Sequence, residues 1–225
     1  AELEAPVLTV PCDIRDPDAI AAAFDAATDA FGLPRVLVNN AAANFPVPAE
    51  EMSPNAWRTV VDITLTGTYL CSRELAPAPG GGDPGIDRER GRLLRLDRRP
   101  RLLAVAAALL PERAPPAVLG RDPPRCPAAR AGVENLTKTL AVEWGPPGIQ
   151  ANGIVPGLVP HQDMPADIQA NLEALDDKAD RQPAMRTGTP RELGWAATFL
   201  ASPYGAFISG HTLVVDGANW QRPAP

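Results

Sequence analysis

The stretch Val36–Ala43 reads Val-Leu-Val-Asn-Asn-Ala-Ala-Ala and decides the fold. A short apolar run that ends in two asparagines predicts a buried strand that stops at Val38. The small residues that follow leave room for a ligand to approach the backbone. In open parallel α/β sheets, nucleotides bind at this carboxyl end of the strands. The stretch therefore indicates either a nucleotide-binding edge or a plain strand with a polar turn.

The residues before this strand predict a strand and a helix. Pro6–Val10 has the composition of a strand, and Asp16 and Pro17 are typical of an N-cap and a first helical position. Four apolar residues at spacings of 4, 3 and 4 predict one buried helix face, which Gly32 ends; they are Ile20, Phe24, Ala27 and Phe31. Strand, helix and strand in this order form the unit of a parallel sheet.

The rest of the ordered pattern continues this alternation of helices and strands. Caps, apolar periodicity and turn residues predict six further elements. They are a helix from Ser53 to Leu75, a helix Ala131–Gly145, a strand Gln150–Val155, a helical segment Pro165–Lys178, a helix that Thr189 and Pro190 begin, and a strand from Thr212 to Val215. The fold class is therefore α/β with a parallel sheet, and we expect residues 1–225 to form a single domain.

Composition excludes several functional classes. A net charge of −6 and a pI near 5.0 argue against nucleic acid and anionic membranes as partners. No apolar run reaches 18 residues, so we expect no membrane-spanning helix. Three scattered cysteines and two distant histidines show no metal-ligand spacing, and we expect no metal site. An odd number of unclustered cysteines and the lack of a signal peptide indicate a cytoplasmic protein.

The segment Ala76–Pro127 interrupts the pattern. It holds ten prolines and ten arginines but no Ser, Thr, Asn, Gln, Tyr, Phe, Trp or Lys. With few β-branched residues it predicts a linker or a disordered insertion, containing at most a short helix over Leu102–Leu110.

Four motifs in order give the chain a resemblance to a known family. They are Asn-Asn-Ala-Ala after a strand, Ala-Val-Glu-Trp-Gly-Pro at a helix end, Gln-Ala-Asn-Gly-Ile-Val-Pro-Gly, and Phe-Ile-Ser-Gly-His-Thr-Leu-Val-Val-Asp-Gly. Together they resemble the short-chain dehydrogenase/reductase family, and the residues around Cys12–Arg15 and Asn44 are most similar to its 2,4-dienoyl-CoA reductase branch. The resemblance implies a Rossmann-like, doubly wound parallel sheet, a homo-oligomer and hydride transfer with NADP, or with NAD.

The resemblance also implies roles for single residues. Asp13 and Ile14 are similar to residues that hold the adenine, and Asn40, Ala41 and Ala42 to the backbone beneath the adenosine ribose. Pro156, Gly157 and Val159 resemble the segment against the nicotinamide. Arg15, Asn44 and Phe45 resemble positions that meet an acyl-CoA, where a guanidinium suits the phosphates. Each position also has a plainer interpretation: a turn cap for Asp13, a solvated charge for Arg15, a turn for Pro156 and Gly157, and a core anchor for Phe45.

The chain departs from this family in its catalytic residues. The first strand, glycine-rich turn and helix that hold the pyrophosphate are lacking in the sequence. The family's catalytic Ser would fall within Ala76–Pro127, which contains no serine, while Cys126 stands at the Tyr position and Arg130 at the Lys position. Thr64 replaces a helix Asn. A sharp change of composition at both ends of the segment indicates a shifted reading frame, the alternative being a genuine proline-rich insertion.

These observations lead to one expected function and two alternatives. We expect an oxidoreductase that reduces an enoyl- or dienoyl-CoA with NADPH, in which Arg130 keeps a positive charge beside the ribose. An arginine does not readily exchange a proton, so its expected role is electrostatic. The alternatives are a catalytically inactive remnant that binds a ligand or a partner subunit, and a carbonyl reductase or alcohol dehydrogenase of the same family.

Overall fold

The fold is an α/β sheet flanked by helices. The computed structural model describes residues 5–45, 47–76, 128–161 and 182–219, together with the backbone of residues 86–87, 92–93 and 101–105. Its strands are β1 (Val36–Val38), β2 (Ile86–Asp87), β3 (Arg92–Leu93), β4 (Arg101–Val105), β5 (Ile149–Pro156) and β6 (Thr212–Val215). Four of them form a parallel sheet in the order β1-β4-β5-β6, and β2 and β3 form a separate antiparallel pair.

Five α-helices are described, and the capping residues set their bounds. They are α1 (Pro17–Phe31), α2 (Pro54–Val61), α3 (Gly67–Leu75), α4 (Ala128–Glu143) and α5 (Pro190–Ala201). The side chain of Asp16 accepts from the backbone N–H of Asp18, and Ser53 caps α2 in the same way. Gly32 ends α1 with a φ of 79°, where glycine is favoured. The starts at Asp16 and Ser53 and the end at Gly32 confirm the predictions from sequence, whereas α4 begins and ends before its predicted bounds of Ala131–Gly145.

The helices cover both faces of the sheet, which confirms the doubly wound Rossmann-like class. Val133 and Leu140 of α4 pack with Ile149 and Ala151 of β5, whereas Ile154 of β5 packs with α5. Because side chains alternate along a strand, Ile149 and Ile154 point to opposite faces. β5 is therefore a central strand covered on both sides, and its residues are almost all buried.

Three predictions of local structure are wrong. Pro6–Val10 is not a strand: its backbone pairs with no described strand, and Val7 is 69% exposed. The segment Ala76–Pro127 is not simply a linker, because β2, β3 and β4 lie within it. Leu102–Leu110 does not begin as a helix, since Arg101–Val105 pairs with β1 and β5. Hydrogen bonding to a strand on each side outweighs weak β propensity.

Two further predicted helical segments differ from the structure or lie outside its described residues. The helix predicted from Ser53 to Leu75 is interrupted by a π-helical turn over Asp62–Thr66, between α2 and α3. The helical segment predicted for Pro165–Lys178 lies outside the described residues. Within the described part of the chain, no helix is both long and apolar enough to cross a membrane, and no cluster of three or more His, Cys, Asp or Glu side chains could hold a metal ion.

Candidate functional site

The candidate site lies at the edge where the parallel strands end. β1, β5 and β6 run in the same direction, so the residues after Val38, Pro156 and Val215 meet at one edge of the sheet. Neighbouring strands are about 4.8 Å apart, so β1 and β5 lie about 10 Å from each other on either side of β4. Val38 is level with Asn152, and β5 continues from there to Pro156, which puts the two strand ends about 16 Å apart. An extended ligand that crosses this edge would contact both loops.

The loop after β1 is anchored at both ends and open in the middle. The buried side chain of Asn39 donates from Nδ2 to Ser72 Oγ at 3.1 Å, and the backbone N–H of Ala43 donates to Thr64 Oγ1 at 3.1 Å. Between these anchors, residues 40–42 are exposed. The backbone of Asn40, Ala41 and Ala42 is therefore held in place and open to a ligand, as a ribose-binding shelf requires.

Asn44 and Phe45 continue this loop on the outside of the protein. Both are exposed, and Phe45 keeps 38% of its surface accessible. Phe45 is therefore not a core anchor, which removes the plainer interpretation of this residue. An exposed aromatic ring beside a polar amide can bind an apolar ligand.

Asp13 and Arg15 bind each other. The carboxylate accepts from the backbone N–H of Arg15 at 2.9 Å and from Nε and Nη2 of its guanidinium at 2.9 and 2.6 Å. The Arg15 guanidinium lowers the pKa of Asp13 to about 2. Both side chains are about half exposed. The ion pair thus links Asp13, which is predicted to hold the cofactor, with Arg15, which is predicted to contact the substrate. The hydrogen bond from the Arg15 backbone N–H also confirms that Asp13 organises the turn before α1.

Removing this guanidinium should release the carboxylate. We expect Arg15→Gln to raise the pKa of Asp13 from about 2 toward its ordinary value of about 3.9, because the charge-assisted hydrogen bonds are lost. Since pairing lowers the pKa in the folded state, its stabilising effect is present above about pH 4 and is lost as pH falls toward 2. Carbon-13 NMR titration of the aspartate carboxyls measures the shift.

Arg35→Gln is the matched control, because Arg35 lies in the turn before β1 and is not a partner of Asp13. An unchanged Asp13 titration in Arg15→Gln would show that the ion pair does not form in solution.

A second part of the site is a cleft at the ends of β5 and β6. Its walls include Gly157, Val159, Arg186 and Asp216, and it encloses about 380 Å³ when its open mouth is counted. That volume is at the low end for small-molecule pockets. Gly157 sits so close to β6 that a Cβ there would lie 2.6 Å from the Cα of Asp216. The structure therefore places Gly157 and Val159 in the lining of this cleft, whereas Pro156, the last residue of β5, precedes the lining residues.

Sequence reasoning did not point to three further residues that line the cleft, Arg186, Thr189 and Glu192. Arg186 donates from Nη1 to Glu192 Oε2 at 3.0 Å, and Glu192 also accepts from the backbone N–H of Thr189 at 2.8 Å. The hydrogen bond with Arg186 lowers the pKa of Glu192 to about 2. The sequence signal was present: Thr189 followed three residues later by Glu192 is a capping-box pattern.

Arg130 lies in the first turn of α4 and is buried, with 9% of its surface exposed. A buried guanidinium keeps its charge, because arginine is not deprotonated in proteins. Its neighbour Ala129 packs against Val60 of α2, which places the start of α4 against that helix. Cys126, at the position of the family's Tyr, lies outside the described residues.

Comparison with known proteins gives consistent matches. The sequence matches the family described as enoyl-(acyl carrier protein) reductase over residues 1–85 and 123–218. The unmatched residues 86–122 lie within the arginine- and proline-rich segment. The chain is 34% identical over 215 residues to a probable 2,4-dienoyl-CoA reductase of Bacillus subtilis, a match that covers 95% of this chain and 76% of that protein.

Solved structures give the same fold. A short chain dehydrogenase from Bacillus anthracis superposes with a TM-score of 0.69 at 30% identity, covering 97% of this chain and 77% of the other. A gluconate 5-dehydrogenase from Burkholderia cenocepacia, solved with NADP and tartrate, superposes with a TM-score of 0.71 at 26% identity, covering 94% and 74% of the two chains.

Proposed function

The chain belongs to the short-chain dehydrogenase/reductase family of NAD(P)-dependent oxidoreductases, and from this premise we propose that it reduces a 2,4-dienoyl-CoA with NADPH. The observation that carries the proposal is the shared edge of the sheet. There, an anchored and exposed shelf follows β1 and a cleft follows β5, and the two strand ends are about 16 Å apart. The substrate class follows the relative from Bacillus subtilis.

The residues of this edge fit the two halves of a dinucleotide. The exposed carboxylate of Asp13 and the shelf Asn40–Ala42 suit a base and a ribose, which need hydrogen-bond acceptors and close backbone approach. The cleft beside Gly157 and Val159 suits a flat ring. NADP is proposed over NAD because the solved relative from Burkholderia cenocepacia contains NADP. Bound there, the cofactor would supply the hydride.

Arg15, Asn44 and Phe45 are proposed to meet the acyl-CoA. All three are exposed, and Asn44 and Phe45 follow the shelf directly. Arg15 follows Ile14, which packs on the first residue of α3. Arg15 donates to Asp13 through Nε and Nη2, which leaves its Nη1 N–H groups to donate to an anionic phosphate. The half-exposed Asp13 carboxylate can at the same time accept from the adenine amino group. The ion pair is thus proposed to contact the acyl-CoA through its guanidinium and the cofactor through its carboxylate.

Arg130 is proposed to hold positive charge near the cofactor ribose. Its buried place in α4 keeps this charge out of bulk water, where it would be screened. A guanidinium does not transfer protons at neutral pH, so the proton that completes the reduction would come from water. We therefore expect turnover that depends weakly on pH between about 6 and 9, because the Arg130 guanidinium stays charged and water supplies the proton.

We also propose that the protein is a cytoplasmic homo-oligomer. Trp57 of α2 and Tyr69 of α3 are 45% and 44% exposed, and α4 carries Val142 at 78%. Apolar side chains exposed on these helices favour contact with another subunit. Cys12 and Cys71 are free thiols, which suits a reducing compartment. Light scattering after size-exclusion chromatography gives the assembled mass.

The direct test is NADPH oxidation in the presence of a dienoyl-CoA, followed at 340 nm. We expect consumption of NADPH that requires the dienoyl-CoA, a higher KM for the acyl-CoA in Arg15→Gln, and no change in Arg35→Gln. Turnover with ketones but not with the dienoyl-CoA would replace the proposal with a carbonyl reductase. Binding of NADPH without turnover on either substrate would identify a non-catalytic binding protein.

A further inference from the structure

Helix α3 contacts both loops that carry the proposed adenosine-binding residues. The first contact is between Gly67, the first residue of α3, and Ile14. A Cβ on Gly67 would lie 2.5 Å from Ile14 Cδ1, 2.8 Å from Cγ1 and 3.2 Å from the Ile14 carbonyl oxygen. The Ile14 side chain therefore lies directly on the backbone of α3, and a Cβ at residue 67 would force Ile14 to move.

The second contact is made by Ser72, which is fully buried in the same helix. Its hydroxyl donates to the Thr68 carbonyl oxygen at 2.7 Å, so its oxygen accepts from Asn39 Nδ2 at 3.1 Å. Asn39 directly precedes the shelf residue Asn40 and is itself buried. Loss of the Ser72 hydroxyl would leave the buried Asn39 side-chain amide without this acceptor, which lowers the free energy of unfolding by about 1–3 kcal/mol.

We infer that α3 sets the distance between the Asp13–Ile14 loop and the Asn40–Ala42 shelf, so that Gly67 and Ser72 are positioning residues for the adenosine half of the cofactor. The two contacts lie five residues apart on one rigid helix, one for each loop. The inference rests on the proposed function, because it assumes that these loops bind adenosine. It assigns no role to α3 in holding the nicotinamide half, which lies at the ends of β5 and β6.

The test compares two ligands in a series of variants. Gly67→Ala should push the Asp13–Ile14 loop outward and raise the Kd for NADPH about tenfold, since displacements of about 1 Å are costly for a positioned site. The Kd for reduced nicotinamide mononucleotide, which lacks adenosine, should not change. Ile14→Ala combined with Gly67→Ala restores space and should recover NADPH binding. Ser72→Ala should behave like Gly67→Ala, and Thr59→Val, on the neighbouring helix α2, is the control.

Amide hydrogen exchange without ligand separates the failure of this inference from the failure of the proposed function. Gly67→Ala should accelerate exchange at residues 13–16, and Ser72→Ala at residues 39–43, each without faster exchange in β5. If the wild-type protein binds no NADPH, the proposed function fails, and exchange alone decides whether α3 positions the two loops. The inference would be overturned by unchanged exchange in both loops, or by an equal loss of affinity for NADPH and reduced nicotinamide mononucleotide. Failure of Ile14→Ala with Gly67→Ala to recover NADPH binding would overturn it as well.

Discussion

Gly157→Ala is expected to destabilise the protein by about 1–3 kcal/mol and to disrupt the cleft at the ends of β5 and β6. The added Cβ would lie 2.6 Å from the Cα and 2.8 Å from the Cβ of Asp216, and neither atom is the end of a flexible side chain. The two strand ends must separate to admit it, which also strains the hydrogen bond from Gly157 N–H to the Val215 carbonyl at 2.9 Å. Urea unfolding followed by circular dichroism measures the loss.

Gly194→Ala is the matched control for this prediction. Gly194 lies within α5, and a Cβ there would meet no atom within 4 Å. Alanine has a higher helix propensity than glycine, so the free energy of unfolding of this variant should rise by up to about 1 kcal/mol. Equal stability of Gly157→Ala and the wild-type protein would mean that β5 and β6 do not approach each other as described.

Asn152→Ala is expected to lower the free energy of unfolding by about 2–3 kcal/mol, because it removes a buried side chain that hydrogen-bonds β5 to the turn before β6. The Asn152 side chain is fully buried. Its Nδ2 donates to the Ile208 carbonyl at 2.7 Å, and its Oδ1 accepts from the backbone N–H of His211 at 3.1 Å. Without it, the His211 N–H loses its partner. Thermal and urea unfolding measure the change, with the exposed Asn135→Ala in α4 as the control.

A double variant tests whether Gln150 and Asn152 share the Ile208 carbonyl as an acceptor. The Ile208 carbonyl also accepts from Gln150 Nε2 at 2.9 Å, so each single variant leaves this carbonyl one partner. Gln150→Ala together with Asn152→Ala removes both. We expect the double variant to lose about 1 kcal/mol more than the sum of the two single losses. Simple additivity would contradict the shared acceptor.

Much of the fold was predictable because its signals are local. Asp16 and Ser53 mark helix starts by side-chain caps, Gly32 marks a helix end, and the β-branched residues Ile154 and Val155 close β5 before Pro156. Each signal works within a few residues of the chain and depends on no distant neighbour. The edge formed by the ends of β1 and β5 was predictable for the same reason.

What sequence reasoning missed depends on neighbours far along the chain. Arg101–Val105 has weak β propensity and is a strand only because β1 and β5 lie on either side of it. Pro6–Val10 has good β propensity but lacks a described partner strand. The pairing of Asp13 with Arg15 was equally hidden, since a pattern of residue types does not say which of two exposed side chains turns toward the other.

The cofactor is proposed to lie across the carboxyl ends of β1, β5 and β6. Amide hydrogen exchange with and without NADPH tests this placement most directly. We predict that NADPH slows exchange in residues 40–43 and in residues 157–159, while exchange within helix α1 remains unchanged. Oxidation of NADPH with no protection of either stretch, or protection confined to another part of the chain, would contradict this placement of the cofactor.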